Sequence, residues 1–334
     1  MQKEIASIQN LKAYYILELK SASRSALAEI KAVDEVSLKI NAREILGIAG
    51  ESGCGKSTLI KAIYGLIEHP LTIVDGSVTY HLEGRDLSIL ELDKVSLSKI
   101  WYKDISYIPQ GAMSTLNPVR RIKDQFFDVI ESHYGNINKE EAVEMIIKHI
   151  DRMGLPREVV TSYPHQLSGG MKQRVVIALA TILKPKIILA DEPTTALDVV
   201  VQRGILQLLS KMQQELKSTL VIVTHDIAAH AQIAHRIVIM YAGKIVEAGS
   251  VEEIFKEPLH PYTRHLINAL PRVGDKSRRT GISGKPPSLR NPPLGCRFHP
   301  RCPYTLDVCK SAEPPQVQVG ANHEHYVACH LYSR

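Results

Sequence analysis

Eight residues, Gly50-Glu51-Ser52-Gly53-Cys54-Gly55-Lys56-Ser57, fit the spacing G-x-x-x-x-G-K-[ST]. Glycines at those places let backbone N–H groups converge on phosphate oxygens, and a helix starting at Lys56 points its positive dipole end at them. Lys56 is expected to reach the β- and γ-phosphates and the Ser57 hydroxyl to ligate Mg²⁺. Asp191-Glu192 follows the apolar run Ile187-Ile188-Leu189-Ala190 and puts two acids at a strand tip. Asp191 suits the Mg²⁺ shell, and Glu192 suits orienting or deprotonating an attacking water. Leu167-Ser168-Gly169-Gly170-Met171 precedes a long apolar helix. Ser168 caps that helix, and its hydroxyl with the free N–H groups makes a second anion site. Cys54 reads as a small packing residue.

The elements that must hold these residues are legible around them. Glu44 to Ala49 is a nearly continuous apolar run, as a strand buried on both faces requires, and Ser57 to Leu66 has helical periodicity. Lys186–Ala190 and Thr219–Val223 are two further buried strands, and Arg236–Tyr241 with Ala242-Gly243-Lys244 forms a hairpin. Ala32–Ile40 alternates as a strand, and residues from about Met113 to Ser162 are helical, clearest at Glu140–Met153. Strands separated by helices predict an α/β fold with a mostly parallel sheet and a helical insertion.

Composition narrows the class. The chain has 334 residues, 44% of them apolar, 23% charged and 5% aromatic, enough for a core and about two domains. So few aromatics argue against a nucleic-acid stacking platform. No apolar stretch approaches the roughly 18 residues of a membrane span. The first residues lack a basic segment followed by an apolar one, so a soluble intracellular chain is expected. The net charge of +6 is local: eight cations, Arg272, Lys276, Arg278, Arg279, Lys285, Arg290, Arg297 and Arg301, stand against Asp275 between positions 272 and 301. That stretch reads as a solvated tail, with contact to an anionic surface as the alternative. After about Lys256 proline is frequent and periodicity is lost until the cysteine cluster, which sets a boundary between residues 1–255, holding a helical subdomain at about 113–163, and an extension at 256–334. Cutting there is expected to leave the phosphate site intact.

With the two phosphate motifs in this order, the sequence resembles the ATP-binding cassette family from about Leu11 to Gly249. The resemblance implies a P-loop NTPase fold with an antiparallel N-terminal β subdomain, a helical insertion and here a small Cys-rich C-terminal domain. It implies ATP as substrate, with Tyr15 stacked on adenine (Tyr14 is the competitor) and with Gly50, Ser52, Gly53, Gly55, Lys56, Ser57 and Thr58 around the nucleotide. Gln110 after Ile105–Ile108 matches the Q-loop, which senses Mg²⁺. Ala196-Leu197-Asp198 matches the D-loop, and His225 the switch histidine. Ser168 and Gly170 are expected to act on the nucleotide of an opposing subunit. Within the family, Ser114–Val119, His260–Arg264 and Gly295–Pro303 are similar to the dipeptide/oligopeptide importer ATPases, and Ile282–Leu289 to their D-type subunit. The likeness implies import of peptides, oligosaccharides or nickel and a peripheral place on the cytoplasmic face of the membrane. The implied partners are an F-type paralogue, two permeases and an extracytoplasmic binding protein. A cassette protein acting on nucleic acid or ribosomes is the alternative; no duplicated cassette or distributed basic groove supports it.

Cys296, Cys302, Cys309 and Cys329 follow C-x5-C-x6-C-x19-C. Structural zinc favours closer knuckles, and four thiolates at wide intervals suit a [4Fe–4S] cluster, which the family resemblance also implies. Zinc, alone or with His299, His323, His325 and His330, and reduced or disulfide-paired thiols are the alternatives.

Overall fold

The computed structural model describes residues 3–21, 24–82, 84–135, 137–270, 282–319 and 325–333. Arg272, Asp275, Lys276, Arg278, Arg279 and His323 lie outside them. The chain divides into two compact units, one of residues 1–41, 46–90 and 223–334, the other of residues 42–45 and 91–222.

The first unit opens with β1 (Glu4–Ser21) and β2 (Arg24–Asn41), an antiparallel pair. β3 (Ile45–Ala49) is buried throughout and runs into the phosphate loop and α1 (Lys56–Tyr64). β4 (Leu71–Leu82) and β5 (Arg85–Ser88) complete an antiparallel sheet in the order β2–β1–β4–β5. This is the antiparallel N-terminal layer that the family resemblance implies.

The second unit holds α2 (Lys94–Ile100), β6 (Ile105–Ile108), α3 (Ile122–Tyr134), α4 (Lys139–Arg152), α5 (Gly169–Thr181), β7 (Ile187–Asp191), α6 (Val199–Leu216) and β8 (Thr219–Val223). Its strands lie in the order β8–β7–β6, with β6 and β7 parallel in the register Ile105↔Ile187 to Ile108↔Ala190. β7 and β8 are buried at every position, which explains the apolar runs Ile187–Ala190 and Leu220–Val223 within them. On α4 the predicted face closes inward through Ala142, Ile146 and Ile150, all fully buried.

Back in the first unit come α7 (Ile227–Ile233), β9 (Arg236–Tyr241), β10 (Lys244–Ser250), α8 (Val251–Lys256) and α9 (Pro261–Asn268). β11 (Gln316–Val319) and β12 (His325–Ala328) close the chain. Strand β9 is parallel to β3 and antiparallel to β10, and the order in this unit is β11–β12–β10–β9–β3. One feature here differs from the loss of periodicity expected between Lys256 and the cysteine cluster. His260 caps α9 by accepting from the Tyr262 N–H, with Pro261 at the first helical position, where proline is favoured. The tail then returns to the sheet, β12 pairing with β10. Buried Glu247 ties these pieces together: its carboxylate accepts from the Leu259 and His260 N–H groups at 2.7 and 2.9 Å and lies 2.7 Å from His325 Nε2. Among the described residues no helix is long and apolar enough to cross a membrane.

Candidate functional site

In the first unit the phosphate loop hangs between a rigid strand and a helix. Gly55, at φ 108°, caps α1 in a region that side chains disfavour, and an added Cβ would sit 1.9 Å from the Ala32 carbonyl oxygen. Only glycine fits there. Lys56 is buried and donates from Nζ to the carbonyls of Gly50 (2.8 Å) and Glu51 (3.0 Å), so the loop holds its own cation in place. Ser52 and Gly53 are exposed, Ser57 is half-buried and Thr58 is buried. Cys54 is buried with its Sγ 3.7 Å from Lys56 Nζ, in keeping with a packing residue. The Tyr15 and Thr58 hydroxyls lie 3.3 Å apart, which places Tyr15 beside the loop. Tyr14 is buried and donates to Asp34 at 2.5 Å. Also in this unit, His225 stands exposed just before α7, which Asp226 caps.

The acid pair belongs to the second unit. Asp191 ends β7 with 1% exposure and accepts from the Tyr107 hydroxyl at 3.3 Å. Glu192 follows at φ 47°, a left-handed conformation uncommon for residues with a side chain. Its Oε2 accepts from Gln110 Nε2 at 3.1 Å and from the Thr195 hydroxyl at 2.9 Å. The structure thus brings Gln110 and Glu192 into direct contact across 82 residues of sequence. Thr195 is a partner that the sequence reading did not single out.

The same unit carries the serine-glycine turn. Ser168 caps α5 by accepting from the Met171 N–H at 3.4 Å, and Asp198 caps α6 through the Val200 and Val201 N–H groups. A Cβ on Gly170 would meet Val201 Cγ1 at 2.9 Å, so the two helix starts approach closely only because that position is glycine. Ser168, Gly170, Leu197 and Asp198 line one open depression of about 870 Å³.

Two families match the chain: ABC transporter over residues 33–195, and oligopeptide/dipeptide transporter, C-terminal region, over residues 246–309. Dipeptide transport ATP-binding protein DppD of Caldanaerobacter subterraneus subsp. tengcongensis is 43% identical over 330 residues, covering 98% of this chain and 97% of that relative. The chain belongs to the ABC transporter ATPases. A second ABC relative, oligopeptide transport ATP-binding protein OppD of Escherichia coli, is 40% identical and covers 86% of this chain and 84% of its own. Among solved ABC structures, the dimeric post-hydrolysis state of the ATP-binding cassette MJ0796 bound to ADP and Pi matches with a TM-score of 0.62 at 29% identity. It covers 74% of this chain and 99% of that one.

Among the described residues, the basic stretch of this ABC ATPase is only in part the solvated tail expected from its charge. Lys285 and Arg290 are exposed, but Arg297 and Arg301 have side chains only 6% exposed and are ion-paired to Asp34 and Glu51. Arg297 also donates to the Ala242 carbonyl. The phosphate loop itself leans on residues beyond Lys256: Glu51 N–H donates to the Tyr262 hydroxyl at 2.8 Å, and Arg301 grips the Glu51 carboxylate. A cut at Lys256 would therefore remove two partners of the loop, which the expectation above leaves out. No local signal could have shown these contacts, because they span 211 and 250 residues.

All five cysteines are free thiols in this structure. Cys309 and Cys329 are buried and Cys296 and Cys302 half-buried. Burial pushes the Cys296 thiol up to about 11, and the charges of Cys309, Cys329 and Cys302 add to the rise, so the four thiols share one neighbourhood. Among the described residues no group of three or more His, Cys, Asp or Glu side chains closes on a single ion. The described histidines are engaged elsewhere: His299 Nδ1 lies 2.9 Å from the Cys296 carbonyl, His330 Nε2 lies 3.0 Å from the Ala312 carbonyl, and His325 bonds Glu247.

Proposed function

We propose that the chain is the ATP-hydrolysing subunit of an importer of peptides, seated at the cytoplasmic face of a membrane. Its partners would be two permeases, a paralogous F-type ATPase subunit and an extracytoplasmic binding protein. The observation that carries this reading is the match of residues 246–309 to the oligopeptide/dipeptide transporter C-terminal region, beside an uninterrupted set of phosphate motifs. A nucleic-acid or ribosome-directed role has no comparable support. Residues 1–255 would form the ATPase portion and 256–334 its extension.

In this reading Gly50, Ser52, Gly53, Gly55, Lys56, Ser57 and Thr58 hold the phosphates, and Tyr15, the less buried of the two tyrosines, takes the adenine. Ser57, Gln110 and Asp191 offer hydroxyl, amide and carboxylate oxygens, the hard donors that Mg²⁺ takes. Glu192 is the general base, kept in place by Gln110 and Thr195, and His225 contacts the γ-phosphate. Ser168 and Gly170 act on the nucleotide of the opposing subunit, which makes a lone chain a poor ATPase. Cys296, Cys302, Cys309 and Cys329 supply the thiolates of a [4Fe–4S] cluster. Four thiols in one neighbourhood that do not close on a single ion suit a group larger than one zinc. Bound, such a cluster would cross-link four points of the extension.

The test is Glu192→Gln in the purified chain mixed with its paralogue and Mg²⁺, and in the cells that encode it. ATP binding should persist, turnover should fall by about 10²–10⁴-fold, and uptake of labelled di- and oligopeptides should stop. Unchanged hydrolysis sinks the general-base assignment. Peptide uptake that survives while oligosaccharide or nickel uptake is lost sinks the cargo. Anaerobically purified protein should be brown; a colourless, chelator-sensitive preparation assigns zinc.

A further inference from the structure

Glu51 occupies a position that the phosphate-loop pattern leaves variable, yet it is held at every polar group it has. Its carboxylate receives a two-pronged bond from Arg301, Nη1 to Oε2 at 2.8 Å and Nη2 to Oε1 at 3.0 Å. Its N–H donates to the Tyr262 hydroxyl at 2.8 Å, and its carbonyl accepts from Lys56 Nζ at 3.0 Å. Two of these three holds come from beyond residue 256. The third is the lysine that the loop presents to phosphate.

The extension is built to keep that grip. Arg301 donates from Nε to the Ser283 carbonyl at 3.0 Å and from Nη1 to the Tyr241 hydroxyl at 3.2 Å, and its guanidinium lies over the Tyr241 ring at 5.8 Å. Tyr241, Tyr262 and Phe298 pack on one another with ring centroids 4.6 to 5.5 Å apart. Tyr262 is fully buried and Phe298 nearly so. Arg301 ends the short turn His299–Arg301, which lies between Cys296 and Cys302. A fork-to-fork pair from a guanidinium excluded from water fixes direction as well as distance, which an exposed ion pair does not.

We infer that Arg301 and Tyr262 are positioning residues for ATP, holding the first turn of the phosphate loop through Glu51 so that Lys56 and the following N–H groups stand ready for the phosphates. The Cys-rich extension is by this means a structural part of the nucleotide site. The inference rests on reading Gly50–Ser57 as the ATP loop.

The experiment measures the affinity of the full-length chain for a non-hydrolysable ATP analogue with Mg²⁺, alongside KM and kcat in the mixture with its paralogue. Arg301→Ala and Glu51→Ala should each weaken binding by on the order of tenfold. The double variant should be no worse than either single one, because both remove the same bond. KM should rise while kcat changes less than about twofold, and Arg301→Lys, which keeps the charge without the fork, should restore only part of the affinity. Glu51→Gln, nearly isosteric, covers the case in which an alanine variant does not fold, and should bind several-fold more weakly. Wild-type affinity in Glu51→Gln or Arg301→Ala, or losses that simply add in the double variant, overturn the inference. A wild-type chain that binds no nucleotide overturns the ATP-loop reading instead.

Discussion

The pair formed by Asp34 and Arg297 offers a measurement whose sign and size follow from its surroundings. Both side chains are less than a tenth exposed. Burial alone would push the Asp34 carboxyl up, but the Tyr14 hydroxyl and the cations of Arg297 and Lys244 outweigh it and hold the group below its ordinary value. Asp34 is therefore an anion in a dry place, and replacing Arg297 with methionine keeps most of the volume while leaving that anion without its ion-pair partner. Breaking a buried pair in this way costs about 3–5 kcal/mol, a large part of a typical total of about 5–15 kcal/mol. Asp34→Asn with Arg297→Met should recover most of the loss, since neither charge is then stranded. A carboxyl with a depressed folded value contributes stability that is present above its unfolded value near 3.8 and lost as pH falls through the folded value. The gap between Arg297→Met and the parent should thus be full at pH 7 and narrow toward pH 4, where the stranded carboxyl takes a proton. Urea unfolding of the three chains, followed by circular dichroism at both pH values, gives the answer. A gap under about 1 kcal/mol at pH 7, or one that does not change with pH, refutes the reasoning.

Three further outcomes are expected. Burial pushes His149, His230 and His260 down to about 4; each contributes stability above its unfolded value of 6.5 that is lost as pH falls toward 4, about 2 kcal/mol per histidine by pH 5, read from urea midpoints at pH 7 and pH 5. A midpoint that is unchanged or rises at pH 5 contradicts this. Gly55→Ala should abolish nucleotide binding and lower the melting temperature, because the new methyl group collides with the Ala32 carbonyl and φ stays positive; unaltered binding in a calorimetric titration would mean the loop is not as drawn. Tyr15→Ala should weaken ATP binding by about 1–2 kcal/mol through lost stacking, while Tyr14→Phe should lower stability and leave affinity alone; the reverse pattern reassigns the adenine contact.

The chemistry-bearing residues were legible because their chemistry constrains neighbours. A loop that cradles phosphate needs a buried strand before it and a helix after it, and both are written into the apolar run up to Ala49 and the periodic segment after Lys56. Helix α9 was not legible, because Pro258 and Pro261 read as irregular chain when one of them opens a helix. Strands β11 and β12 are four residues each, too short for alternation to stand out. Arg297 and Arg301 read as solvated because their partners lie 263 and 250 positions away, and nothing local distinguishes a buried arginine from a hydrated one.

The return of the tail to β10 has a practical corollary. A recombinant fragment ending near the proline-rich stretch would present that strand with bare amides and carbonyls along a flank now occupied by β12, an invitation to anneal with its own copies. Expression of the shortened cassette should yield aggregates unless the last turns of the polypeptide are supplied with it.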